Sequence, residues 1–127
     1  MNNLLDTHTF IWFIEDDEKL SSTAKETIEA ENSVNYISIA SLWEIAIKIN
    51  LEKLELKKQF AEIGNQITQN GFIILPIEFQ DTLTVSLLPY IHKDPFDRII
   101  ISQSMNKDFT LITADDNIAK YDVKTLW

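Results

Sequence analysis

Four carboxylates in this chain stand where one backbone element gives way to the next: Asp6, Glu44, Asp97 and Asp115. Asp6 closes the apolar run Asn2-Asn3-Leu4-Leu5, and Glu44 follows Ser41-Leu42-Trp43. Asp97 follows Asp94-Pro95-Phe96, and Asp115 follows Leu111-Ile112-Thr113-Ala114. Each acid alone has an ordinary explanation, because a carboxylate at a helix start accepts backbone N–H groups that lack partners there. Asp6 and either Asp115 or Asp116 suit N-caps; Glu44 completes a capping box with Ser41; Asp97 sits three residues after a cap at Asp94. All four together at one edge of a sheet would repel, and divalent cations or raised pKa values are what make such a cluster tolerable. Hard carboxylate oxygens favour magnesium, with manganese as the alternative. An ion held by oxygen in an open cleft suits phosphoryl chemistry, in which an activated water attacks in line and no histidine or cysteine nucleophile is needed.

The elements that must position these acids follow from hydrophobic spacing. Asn2 to Leu5 reads as a buried first strand, and Thr7 to Ile14 as a short helix apolar nearly all round, either deeply buried or facing a partner. Glu15-Asp16-Asp17-Glu18 is a solvated acidic turn, and a polar helix runs from Ser21 or Ser22 to about Glu31. Val34 to Ser38 is a strand, followed by a helix from Ser41 to Asn50 carrying Leu42, Ile45, Ala46 and Ile49 on one stripe. A further amphipathic helix spans about Lys57 to Asn70, with Gly71 as its C-terminal cap and Phe72 to Leu75 as the next strand. Glu78 to Leu88 is read as helix, ended by Pro89. Ile99-Ile100-Ile101 has strand propensity, but Asp94 as N-cap with Pro95 at the first helical position predicts a helix from 95 to about 106. Thr110 to Thr113 is a strand, Asp116 to Tyr121 a short helix, and Val123 to Trp127 an edge strand. Strands alternating with helices throughout predict an α/β fold: a three-layer α/β/α domain with a central parallel sheet, spanning 1-127 as one domain. Ligands in such sheets bind beyond the carboxyl ends of the strands, where Asp6 and Asp115 fall.

Composition narrows the chemistry further. Of 127 residues 45% are hydrophobic, enough for a sizeable core. There is no cysteine, and the two histidines are isolated, so disulfides, thiolate sites and an ordinary zinc site are excluded. The beginning of the chain does not read as a signal peptide and no apolar run reaches membrane-spanning length, so the expectation is a cytoplasmic protein with no membrane association. A formal net charge of −9 argues against a module that holds nucleic acid by phosphate neutralisation. It does not argue against an enzyme whose bound cations reverse the local field.

Several neighbours of the acids carry polar or charged groups suited to supporting them. Lys48 lies four residues after Glu44 and reads as a surface helix pair, with a phosphate contact as the alternative. Arg98 reads as a salt-bridge partner orienting Asp97. Thr7, Ser38, Ser41 and Thr113 could orient carboxylates or water through their hydroxyls. His8 and His92 are read as structural. Lys48, Lys53, Lys57 and Lys58 form the densest basic neighbourhood, either a guide for a phosphate backbone or a solvated run.

Leu4-Leu5-Asp6-Thr7-His8, Ser38 to Lys48, His92-Lys93-Asp94-Pro95-Phe96-Asp97-Arg98 and Leu111-Ile112-Thr113-Ala114-Asp115, in that order, resemble the PIN domain, specifically the VapC-like toxins of type II toxin–antitoxin pairs. The His-Lys-Asp-Pro-Phe-Asp-Arg stretch is the most specific of the four. The resemblance implies a metal-dependent endoribonuclease with Asp6, Glu44, Asp97 and Asp115 as the acidic quartet, Asp6 and Asp97 being direct magnesium ligands. It also implies an RNA substrate, a homodimer, and neutralisation by a cognate antitoxin laid across the active-site groove. Asp116 beside Asp115 makes the fourth position ambiguous, the spacing after Thr113 favouring Asp115. Glu52 stands where relatives often have glycine, which bears on a loop conformation and not on the metal site. Two rival functions are a non-catalytic PIN-like interaction module and a phosphotransfer domain. The second lacks the companion acid and lysine that such domains place beside the reacting aspartate.

Overall fold

Leu4 and Leu5 are adjacent and both fully buried, which a strand achieves only when both faces of its sheet are covered. Leu111 and Ile112 repeat the pattern. Leu5 and Ile112 belong to one apolar core and Leu4 and Leu111 to another, on opposite sides of the sheet. The computed structural model, which describes all 127 residues, is therefore a three-layer α/β structure. Its five strands are β1 (Asn2–Leu5), β2 (Val34–Ser38), β3 (Ile73–Leu75), β4 (Thr110–Ile112) and β5 (Thr125–Leu126). All pair in parallel, in the order β3-β2-β1-β4-β5.

Register decides where the acids go. Leu5 pairs with Ile37 on one side and Ile112 on the other, so Asp6, Ser38 and Thr113 all emerge at the same edge. The first core is closed by α1 (Thr7–Ile14), α2 (Ser22–Glu29), α3 (Ile39–Asn50) and α4 (Phe60–Gln69), through Phe10, Ala24, Ile28, Ile45, Ile63 and Ile67. The second is closed mainly by α6 (Pro95–Lys107) through Ile100 and Ile101, with Ile118 and Tyr121 from the segment before β5. A shorter helix, α5 (Phe79–Leu87), packs beside α6.

Several boundaries differ from the sequence reading: the edge strand expected over Val123 to Trp127 forms only at Thr125–Leu126, the helix expected to reach about Glu31 ends at Glu29, and three further differences bear on the site or the helix ends. β2 runs into α3 with no loop: Ser38 is the N-cap, accepting from Ala40 N at 3.1 Å, and the helix begins at Ile39. Ser41 is thus buried inside the helix, and the Ser41–Glu44 capping box is not formed. The residues after Asp116 make a single 3₁₀ turn, Ile118–Lys120, and not a short α-helix. α4 starts at Phe60, three residues later than expected, and ends in a Schellman motif: Phe72 N donates to Ile67 O, with Gly71 at φ +72. The helix at 95–107 forms as predicted. Asp94 Oδ1 accepts from Phe96 N at 2.8 Å and Asp97 N at 3.3 Å, and Pro95 occupies the first turn, outweighing the β-branched Ile99–Ile101 run.

Candidate active site

Asp6, Asp97 and Asp115 open onto one cleft of about 460 Å³, together with His8, Trp12, His92 and Ala114. They arrive from three elements: the end of β1, the first turn of α6 and the loop after β4. No lysine or arginine lines the cleft.

The β1 side is tightly fixed. Asp6 is buried; its Oδ1 caps α1 by accepting from Thr9 N at 2.8 Å, and its Oδ2 accepts a short hydrogen bond from Thr113 Oγ1. Thr113 Oγ1 in turn accepts from Asp115 N at 3.0 Å, so one hydroxyl couples two of the acids. Asp6 therefore both caps a helix and faces the cleft, and the two readings of that residue coexist.

Glu44 lies in the second turn of α3, buried and beside the cleft, not among its lining residues. Thr7 Oγ1 donates to Glu44 Oε1 at 2.8 Å and shares a 2.9 Å hydrogen bond with Ser41 Oγ. Lys48 Nζ reaches Glu44 Oε2 at 2.8 Å. The pairing is not a surface helix pair as expected, since the carboxylate end is buried. The hydrogen bond to Glu44 raises the Lys48 pKa against the opposing effect of burial.

On the α6 side the charges are poorly compensated. Burial, then repulsion from Asp94, with smaller contributions from Asp6 and Glu44, pushes Asp97 from the usual 3.8 up to about 7 despite the opposing influence of His92. Asp115 goes the other way. Burial acts to raise it, but hydrogen bonds from His92 and from the Asn117 amide outweigh that and hold its pKa below the usual value.

Two residues are corrected here. His92, read as structural, stands between two of the acids: Nε2 is 2.8 Å from Asp115 Oδ2 and 3.2 Å from Asp97 Oδ2. Its ring and the carboxylates of Asp97 and Asp115 offer ligand atoms within 4.8 Å of one another. Arg98 makes no ion pair with Asp97. Its guanidinium donates to the carbonyls of Pro89 (3.1 Å) and His92 (3.2 Å), more weakly to Val85, Leu88 and the Tyr121 hydroxyl, and lies over the Tyr90 ring. It fastens the loop that carries His92. The sequence signals for His92 were its place two residues before the Asp94 cap and its position at the head of the most specific stretch of the resemblance.

Of the remaining candidates only His8 reaches the cleft. Asp116 is exposed and away from the lining residues, so Asp115 is the acid delivered by β4. His8 is exposed at the cleft's rim, its ring 5.8 Å from that of Trp12. The expected basic neighbourhood is divided: Lys48 is committed to Glu44, while Lys57 binds Glu15 through its backbone N (2.7 Å) and Nζ (3.0 Å).

The donor set fits a hard divalent ion. Three carboxylates from separate elements converge, and a cation among them would offset the burial and the like-charge repulsion that together raise Asp97.

No curated protein sequence matches the chain. Solved structures resemble it over nearly their whole length. VapBC2 from Rickettsia felis, bound to a DNA fragment from its promoter, is 18% identical, covering 99% of this chain and 98% of its own, at a TM-score of 0.73. A toxin–antitoxin complex from Klebsiella pneumoniae is 19% identical, covering 98% and 96%, at 0.66. FitAcB from Neisseria gonorrhoeae is 17% identical, covering 98% and 96%, at 0.59. At such identities the likeness establishes the fold. The family model of the PIN domain matches residues 4–124, nearly the whole chain, and the chain belongs to that family.

Proposed function

We propose that this protein is a magnesium-dependent endoribonuclease, the toxin of a type II toxin–antitoxin pair, with Asp6, Glu44, Asp97 and Asp115 as its acidic residues. The observation that carries the reading is the convergence of Asp6, Asp97 and Asp115 on one open cleft that no basic side chain lines. Asp6, Asp97 and Asp115 would hold the ion, and Glu44, fixed by Thr7 and Lys48, would add negative charge behind them. A divalent ion bound there supplies activation of water and stabilisation of charge on the scissile phosphate. Thr113 and Thr9 N fix the Asp6 oxygens, while Asp94 caps α6 and so aims Asp97 into the cleft.

The toxin assignment draws support from PIN-family membership and from the likeness to structures described as toxin–antitoxin assemblies. A cognate antitoxin and a homodimer belong to the same proposal. Phe79, Leu83 and Leu87 recur every four residues along α5 and are all exposed, as are Ile73 and Ile74 on the edge strand β3. Apolar surface of that extent suits a protein partner.

The test is cleavage of a labelled panel of structured RNAs by wild type and Asp97→Asn, each with magnesium, manganese or chelator. Cleavage by wild type alone, lost on chelation, is the expected result. No cleavage of any RNA, together with no magnesium binding in a titration, would favour the non-catalytic interaction module.

A further inference from the structure

His92 offers a ring nitrogen to the same space as two of the acids, and its ligand atom could be counted as part of a metal site with Asp97 and Asp115. The hydrogen bonds around the ring argue otherwise. Nδ1 accepts the backbone N–H of Asp94 at 3.1 Å, so Nδ1 carries a lone pair and no proton. The ring proton is then on Nε2, where it is donated to Asp115 Oδ2 at 2.8 Å, with Asp97 Oδ2 off axis at 3.2 Å. A nitrogen carrying that proton has no lone pair for a metal. Freeing it would require the proton to move to Nδ1, directly against the Asp94 N–H.

The backbone that carries the ring is itself held in place. His92 N donates to the Tyr121 hydroxyl at 2.7 Å, His92 O accepts from Arg98 Nη1 at 3.2 Å, and Tyr121 Oη donates to Pro89 O at 2.8 Å. Ile91 N also donates to the Tyr121 hydroxyl, at 3.1 Å. Arg98 and Tyr121 thus clamp the loop on both sides of the histidine, and the Asp94 N–H that selects its tautomer belongs to the residue capping α6.

We infer that His92 is a positioning residue: its Nε2–H sets the Asp115 carboxylate against Asp97, and the imidazole stays outside the coordination shell, leaving an all-oxygen site. This rests on the proposed metal site, but its first half concerns the metal-free protein alone. The arrangement also fits the choice of ion, since an available imidazole nitrogen would favour zinc, whereas carboxylates alone favour magnesium and manganese.

Two measurements test it. In metal-free protein labelled with ¹⁵N at histidine, long-range ¹H–¹⁵N correlations are expected to show His92 with Nε2 protonated and Nδ1 bare; the opposite tautomer overturns the inference. Manganese binding, followed by electron spin-echo envelope modulation, is expected to show no histidine nitrogen coupling in wild type. A coupling present in wild type and lost in His92→Leu would place the ring on the metal and overturn it. His92→Gln, which keeps an N–H donor, should retain manganese affinity within about 3-fold, and His92→Leu should lose about 10- to 100-fold. Equal loss in both variants, or loss in neither, contradicts a donor role. Absence of manganese binding in wild type would defeat the nuclease reading and the coordination half of this inference together, while the ¹⁵N spectrum would still decide the tautomer.

Discussion

The two sides of the cleft solve the same problem differently. On the β1 side Asp6 has both oxygens engaged, one by a backbone N–H and one by a hydroxyl, and would be retained by the needs of α1 alone. On the α6 side the Asp97 carboxylate receives no well-directed hydrogen bond from the protein, its nearest donor being His92 Nε2 at 3.2 Å. Burial and neighbouring acids hold it well above an ordinary aspartate. An acid that the fold satisfies says little about function. An acid that the fold leaves in repulsion is a cost to stability, and the cleft it faces is where that cost can be offset by a bound cation.

The sharpest way to break this contrast is to neutralise each acid. Asp97→Asn and Asp6→Asn should each lower metal-dependent cleavage about 10³-fold or more, since several kcal/mol of charge stabilisation are lost. Without metal, removing each side chain's local role should affect stability differently. Asp97→Asn is expected to be as stable as wild type or more so by urea denaturation, whereas Asp6→Ala, which removes the cap, should lose about 1–2 kcal/mol. An unfolded Asp97→Asn protein would return Asp97 to a purely structural role.

Arg98 sharpens the comparison from the other direction, because it serves the α6 side without touching an acid. Arg98→Met keeps much of the packing over Tyr90 but removes the bonds to Pro89 O and His92 O. It should cost about 2–3 kcal/mol in denaturation, through the loss of several charge-assisted hydrogen bonds to exposed and part-buried carbonyls. Metal affinity should fall with it as the His92 loop loosens. Arg98→Lys should recover little, because a point charge cannot reproduce the planar fork.

The legibility of this site in the sequence followed the same division. Elements announced by local chemistry were readable: Leu4-Leu5 as a doubly covered strand, Asp94-Pro95 as a helix start, Gly71 as a helix end. The Ser41–Glu44 capping box failed because the direct passage from β2 into α3 put two serines, Ser38 and Ser41, in competition for the cap. Ser38, already in the strand, took the role, so Glu44 moved to the second turn and towards Thr7 and Lys48. His92 and Arg98 were misread for a different reason. Their partners lie on Tyr121, Asp115 and the Pro89 turn, contacts made by the folded chain that adjacent residues do not encode.

A pH series gives the next, smaller effect. Asp97 binds its proton more tightly folded, at about 7, than unfolded near 3.8, so between those values the native state holds more protons. Stability from this group is fully present below about pH 4 and is lost as pH rises through about 7. Without divalent ions, wild type should lose about 2 kcal/mol relative to Asp97→Asn between pH 5 and pH 8, discounted for the partial exposure of the carboxylate. Saturating magnesium should remove most of that difference, because the ionised form then has a counter-charge. Equal slopes for the two proteins would mean that Asp97 ionises normally.

The smallest effect separates fold from site altogether. α3 and α4 end in the same motif: Lys53 N donates to Lys48 O and Glu52 N to Ile49 O, as Phe72 N does to Ile67 O and Gly71 N to Thr68 O. The left-handed position is glycine after α4, at φ +72, but glutamate after α3, at φ +58. A side chain there crowds the following carbonyl, at about 1 kcal/mol, which glycine avoids. Glycine also enlarges the freedom of the unfolded chain, which offsets part of the gain. Glu52→Gly should therefore stabilise by about 0.5 kcal/mol, seen as a higher urea midpoint at unchanged slope. Cleavage should be unaltered, because Glu52 lies beyond the C-terminal end of α3 and does not line the cleft. A change in activity at constant stability would instead connect this loop to the site.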